Sequence, residues 1–180
     1  NDGQNDNDIP IPNNHEGWGR MDLNAATDGS HVFEDAGSAS GLFTNDSSSF
    51  QYTVENPGSP LRISLVWTDY PSTEGAAVNL VNDLDLEVIG PGGETYRGNV
   101  FSGGWSQTGG AADRANNVEN VYVQSAGVGA WTVTVSGHNV PSGPQPYALV
   151  VDGDLGEVSR ATGWPSHTKN NVNNLPRANH

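Results

Sequence analysis

Asn82-Asp83-Leu84-Asp85-Leu86-Glu87-Val88 sets an apolar side chain at every second position and an acidic one between. Successive side chains of an extended chain point to opposite faces, so Leu84, Leu86 and Val88 predict a strand with one buried and one acidic face. The same period recurs on both sides. Phe50, Tyr52 and Val54 alternate with polar residues, and Leu61-Arg62-Ile63-Ser64-Leu65-Val66-Trp67-Thr68 reads as a strand more completely buried towards its end. Thr95-Tyr96, Val118 to Val123, Trp131 to Val135 and Tyr147 to Val151 supply further strands, and Ala76 to Val81 reads as another. Pro91-Gly92-Gly93 is a turn, while Ser102 to Gly110 and Pro141 to Pro146 read as loops. Short strands punctuated by Gly, Pro and Asn predict an all-β chain, an antiparallel β-sandwich or jelly roll.

The ends have a different character. Residues 1–16 are rich in Asn and Asp, with Pro10 and Pro12 against any helix, and Met21 to Ala26 has the length of one or two helical turns. The predicted organisation is a loop and short helix over 1–26, a linker or first strand over 27–48, the sandwich over 49–154, and an asparagine-rich flexible tail over 155–180. Asn1-Asp2-Gly3 is not the start of a signal peptide, and the chain reads as a fragment of something longer.

Acidic residues outnumber basic ones 21 to 7, for a formal charge of −14. Such a surface repels phosphate backbones and anionic lipid, which argues against nucleic-acid and membrane partners and favours divalent cations. Charge alone leaves simple solubility as an equal explanation. The chain has no cysteine, which removes thiol catalysis, cysteine metal sites and disulfides together.

Asp83 and Asp85 fall on one strand face, roughly 7 Å apart, and repel each other unless a positive charge stands near. Calcium takes six to eight oxygen ligands and would relieve that repulsion, with Asn82 supplying an amide oxygen and Asp69 a further carboxylate. Two solvated aspartates are the alternative. In Asp113-Arg114-Ala115-Asn116-Asn117-Val118-Glu119-Asn120, Asn117 and Glu119 are candidate ligands, and turn formation or solvation accounts for them equally well. Asp152-Gly153-Asp154 begins like a calcium loop but lacks the later ligands. Gly37-Ser38-Ala39-Ser40-Gly41 misplaces its serines for a nucleophile elbow, and His15-Glu16 lacks the second histidine of a zinc helix. Trp131 alternates with Val133 and Val135 and belongs in the core. Trp105, in a glycine-rich stretch, is the candidate for an exposed binding aromatic.

Four ordered blocks carry a resemblance: Ile63 to Asp69, Leu80 to Leu86, Asn116 to Val121, and Asn139-Val140-Pro141 with Gly143-Pro144-Gln145. From Leu61 to Asp152 the chain resembles the C-terminal jelly-roll region of KP-43-type subtilisin-like alkaline serine proteases. Gly17-Trp18-Gly19-Arg20-Met21-Asp22-Leu23 resembles the closing segment of their catalytic domain. The resemblance implies a secreted protease parent, calcium binding, and packing of this domain on the subtilase catalytic domain. The family's aspartate, histidine and serine motifs have no match here, so the triad chemistry is not expected of this chain alone. The rival expectation is a module that recruits a protein or polysaccharide substrate through Trp105.

Overall fold

The computed structural model describes residues 13, 17–19, 23–27 and 31–156. Among these it forms one short helix, α1 (Leu23–Thr27), and nine strands. The strands are β1 (Val32–Ala36), β2 (Ser47–Val54), β3 (Leu61–Val66), β4 (Asp83–Ile89), β5 (Thr95–Ser102), β6 (Trp105–Thr108), β7 (Val118–Val123), β8 (Gly129–Asn139) and β9 (Tyr147–Asp152). They pair into a four-stranded sheet, β1-β9-β3-β7, and a five-stranded sheet, β2-β8-β4-β5-β6. Every paired neighbour is antiparallel. The predicted antiparallel sandwich is therefore the fold.

The period-two residues make its core. Ile63, Leu65, Leu84, Val88, Val121, Val133, Val135, Leu149 and Val151 are wholly buried. Trp131 joins them, its ring stacked on Tyr96 and its indole N–H donating to the Gly127 carbonyl. An indole can enter a core at low cost only when that N–H finds an acceptor.

Two local readings change. Ser102 to Gly110 is not all loop: Trp105–Thr108 is β6, with Phe101 opposite Ser106 and Ser102 opposite Trp105. Gly103 and Gly104, at φ of +59° and +83°, make the two-residue turn between them, which needs left-handed backbone at both positions. Ala76 to Val81 is not a strand. Instead the N–H groups of Val81 and Asn82 donate to the Asp69 carboxylate, so a side chain rather than a neighbouring strand satisfies the backbone there. The stretch 27–48, read as linker or first strand, contains β1, which pairs with β9 from Val32↔Val151 to Ala36↔Tyr147. The tail predicted over 155–180 lies outside the described residues beyond Gly156, as does most of 1–16.

Candidate functional site: an acidic wedge between strands

The densest chemistry lies where β4 and β5 part beside β7. Their ladder runs from Ile89↔Thr95 to Glu87↔Arg97 and stops. The next N–H, that of Leu86, donates to Oε2 of Glu119 at 2.7 Å. Glu119 is 1% exposed, and on the other strand it meets Gly98, where a Cβ would fall 2.1 Å from the same oxygen. The carboxyl group thus occupies the place of a strand-to-strand hydrogen bond, and only glycine leaves room for it on β5. Its second oxygen, Oε1, is buried without a hydrogen-bond partner. Burial pushes the Glu119 carboxyl up to about 8, against the Leu86 N–H, with the nearby carboxylates Asp85, Asp113 and Asp83 pushing the same way.

Past this point β5 bends. Asn99 has a φ of +62°, and its side chain bonds β7 in place of a ladder. Its amide donates to the Val118 carbonyl and to Asp113 Oδ2, while its Oδ1 accepts from the Asn120 N–H. Burial raises Asp113, but hydrogen bonds from Asn99, Asn116 and the N–H groups of Ala115 and Asn116 outweigh it and hold the carboxyl below its ordinary value.

The two aspartates on the outer face of β4 share one cation. Arg114 pairs with Asp83 at 3.3 Å and forms a fork with Asp85 through both terminal nitrogens. This guanidinium meets the repulsion that the sequence pattern implied. Asp83 is still raised, by burial first, with Arg114 opposing and Asp85 reinforcing.

The other predicted ligands organise loops. Asp69 accepts from the N–H groups of Tyr70, Val81 and Asn82. Asn82 donates to the Ser142 carbonyl and Gln145 Oε1, and accepts from the Ser142 N–H. Asn117 donates to the Trp67 carbonyl, and the Trp67 indole donates to the Asn82 carbonyl. These three tie the loop between β3 and β4 to the segment before β7 and to the loop between β8 and β9. Among the described residues, no three His, Cys, Asp or Glu side chains converge as a ready-made metal centre. Trp105 is half-buried on β6, and the Arg62 guanidinium lies 5.9 Å from its ring centroid.

Arg114 and Asn99 went unread as site residues because their partners are far away in sequence. Gly98 gave no signal apart from being a glycine in a strand, which marks close approach of another group.

Asp69→Ala removes three charge-assisted acceptor contacts and is expected to cost about 2–3 kcal/mol. Chemical denaturation checks this. An equal loss with and without calcium identifies Asp69 as a loop anchor, and a calcium-dependent loss identifies it as a ligand.

No protein-family model matches the chain. Three curated proteins of Dictyostelium discoideum are similar to part of it, all named serine protease/ABC transporter B family proteins. The one called tagB is 37% identical over 105 residues, which is 57% of this chain and 6% of that protein. The one called tagD is 34% identical over 106 residues, 54% of this chain and 6% of that protein. The one called tagA is 31% identical over 114 residues, 60% of this chain and 6% of that protein. The chain therefore spans a small fraction of proteins whose names include a serine protease. Among the described residues, no helix is long and apolar enough to cross a membrane.

Proposed function

We propose that this chain is a non-catalytic accessory domain of a secreted, subtilisin-like serine endopeptidase, which it stabilises by packing on the catalytic domain and by binding calcium. The observation that carries the reading is the 105-residue similarity at 37% identity to a protein named as a serine protease, confined to 6% of that protein's length. A matched segment so small, folded as a sandwich of its own, has the character of an appended domain. The four sequence blocks that resemble the KP-43-type proteases support the subtilisin-like assignment.

Calcium would draw on Asp83, Asp85 and Glu119, which do not converge as a ready-made centre, and it would have to displace the Arg114 guanidinium that already pairs with both aspartates. Their oxygens are the hard donors the ion takes, and the buried Oε1 of Glu119 has no hydrogen-bond partner. A divalent cation there would supply positive charge to carboxylates that burial and mutual repulsion hold uncomfortably, and binding only the folded chain would stabilise it by mass action. Asp69, Asn82 and Asn117 would support the site indirectly, through the loops they fix.

The test is hydrolytic. The protein that carries this chain, purified whole, should cleave a denatured protein substrate, and a serine-directed acylating inhibitor should abolish that cleavage. A whole protein that does not hydrolyse peptides, or whose hydrolysis survives the inhibitor, overturns the reading.

A further inference from the structure

We propose that the free edge of β2 is a slot for one more strand, and that the chain's own continuation, Glu157 to Thr162, occupies it. Four strands end the two sheets: β1 and β7 in one, β2 and β6 in the other. On the side where β6 meets β7, side chains satisfy the outer backbone of β7. Asn99 accepts from the Asn120 N–H and donates to the Val118 carbonyl, and Ser106 Oγ accepts from the Tyr122 N–H. β1 is five residues long and carries Glu34 and Asp35, charges of the kind that discourage pairing at an edge. β2 has no such guard. Its eight residues, Ser47 to Val54, include no charge, proline or glycine. The unpaired backbone of such an edge is a template for another strand.

A ladder has already begun there. Val54 forms an antiparallel bridge with Leu155, which packs against the core. The Glu55 N–H donates to the Asp154 carbonyl at 3.1 Å, and the Gly156 N–H donates to the Thr53 carbonyl at 2.9 Å. Backbone groups along a strand alternate between its two sides, so Thr53 and Glu55 place those of Ser47, Ser49 and Gln51 on the same free side. The side chains of these three are exposed, and β8, on the other side, is the one strand that β2 pairs with among the described residues.

The occupant follows from register and from the path of the chain. The described residues stop at Gly156, where the antiparallel bridge has just formed. The same register sets Val158, Arg160 and Thr162 opposite Gln51, Ser49 and Ser47, and sets Glu157, Ser159 and Ala161 opposite Tyr52, Phe50 and Ser48. The six residues from Glu157 to Thr162 match the six from Ser47 to Tyr52, and Gly163 and Pro165 then interrupt an extended run. Val158 and Thr162 are β-branched and suit a strand, while Ser159 and Ala161 are small beside half-buried Phe50. A second copy would meet an edge whose first rung residues 154–156 already hold, and would bring another −14 charge. A tethered segment also reaches the edge at a far higher effective concentration than a free one.

The chain has no cysteine, so a disulfide can report the register. Ser48 and Ala161 would form a pair without backbone bonds between them, the kind whose Cα atoms stand about 4.5 Å apart, within reach of a disulfide. In the whole 180-residue chain, Ser48→Cys with Ala161→Cys should close an intramolecular disulfide under mild oxidation. It should do so at least about ten-fold faster than Ser48→Cys with Ser166→Cys. In the wild-type chain, the Ser49 and Gln51 amides should exchange with deuterium as slowly as those of Phe50 and Tyr52, which alternation turns towards β8. Equal closure rates for the two cysteine pairs overturn the proposal, as do Ser49 and Gln51 amides that exchange like unbonded backbone. Crosslinks or protection that grow with protein concentration overturn it in favour of a second copy.

Discussion

Glu119→Gln should flatten the pH dependence of stability in cation-free buffer and make the chain more stable than the wild type at pH 8. The wild-type carboxyl is raised from 4.5 to about 8, so the folded chain holds a proton that the unfolded chain releases. A raised acid contributes its stability in full below about pH 4.5, and that contribution is lost as pH rises through the window to about 8. With each pKa unit worth about 1.4 kcal/mol, the loss is on the order of 4 kcal/mol. Asp113 is shifted the other way, so its contribution is lost towards acid, in a window below the ordinary aspartate value and separate from this one. Glutamine keeps an oxygen for the Leu86 N–H and carries no charge, so it retains the wedge and loses the titration. Urea unfolding at pH 5 and pH 8 measures both slopes. A variant as pH-sensitive as the wild type would show that the dependence arises elsewhere. Calcium should reduce the wild-type slope as well, by favouring the ionised carboxylate.

A loss of similar size is expected for Trp131→Ala. Trp131 is 1% exposed, stands on β8 opposite Tyr52 of β2, stacks on Tyr96 and donates to the Gly127 carbonyl. Its removal leaves a cavity between the sheets and strands that carbonyl, a change that typically costs about 3–5 kcal/mol. For a domain of this size the melting temperature should fall by roughly 15 °C. Trp131→Phe refills part of the space and should recover more than half of the fall. A drop under about 5 °C for the alanine variant would mean that the two sheets close over the gap.

Burial alternation made most of the fold legible. Leu84, Leu86 and Val88 face inward and Asp83, Asp85 and Glu87 outward, as the period of two requires. β6 was concealed by its brevity, and the Gly103-Gly104 pair, a hairpin-turn signal, went unread inside a stretch taken as loop. Ala76 to Val81 misled because its apolar residues satisfy a strand pattern, whereas the local backbone is committed to Asp69.

The site was legible only in part. Asp83, Asp85 and Glu119 were found as oxygen-bearing side chains, but nothing in their spacing tells that Arg114 reaches back 29 residues to Asp85. Alternation in fact places Glu119 on the inward face of β7 with Val121 and Val123, so the expectation of a solvated outer glutamate fails against the period itself, because a carboxylate is ordinarily assigned to water whatever its face. Its burial depends on the gap between β4 and β5, which the glycine at position 98 keeps open. Long-range pairs of this kind arise from topology, and local sequence carries no record of them.

The most direct test of the proposed accessory role compares the half-life of inhibitor-sensitive proteolysis at raised temperature for the whole protein that carries this chain and for the same protein lacking residues 31–156, each with calcium and with chelator. Deletion should shorten the half-life at least several-fold, and chelator should shorten that of the whole protein while leaving the truncated protein less affected. Equal half-lives with and without the sandwich would contradict the account.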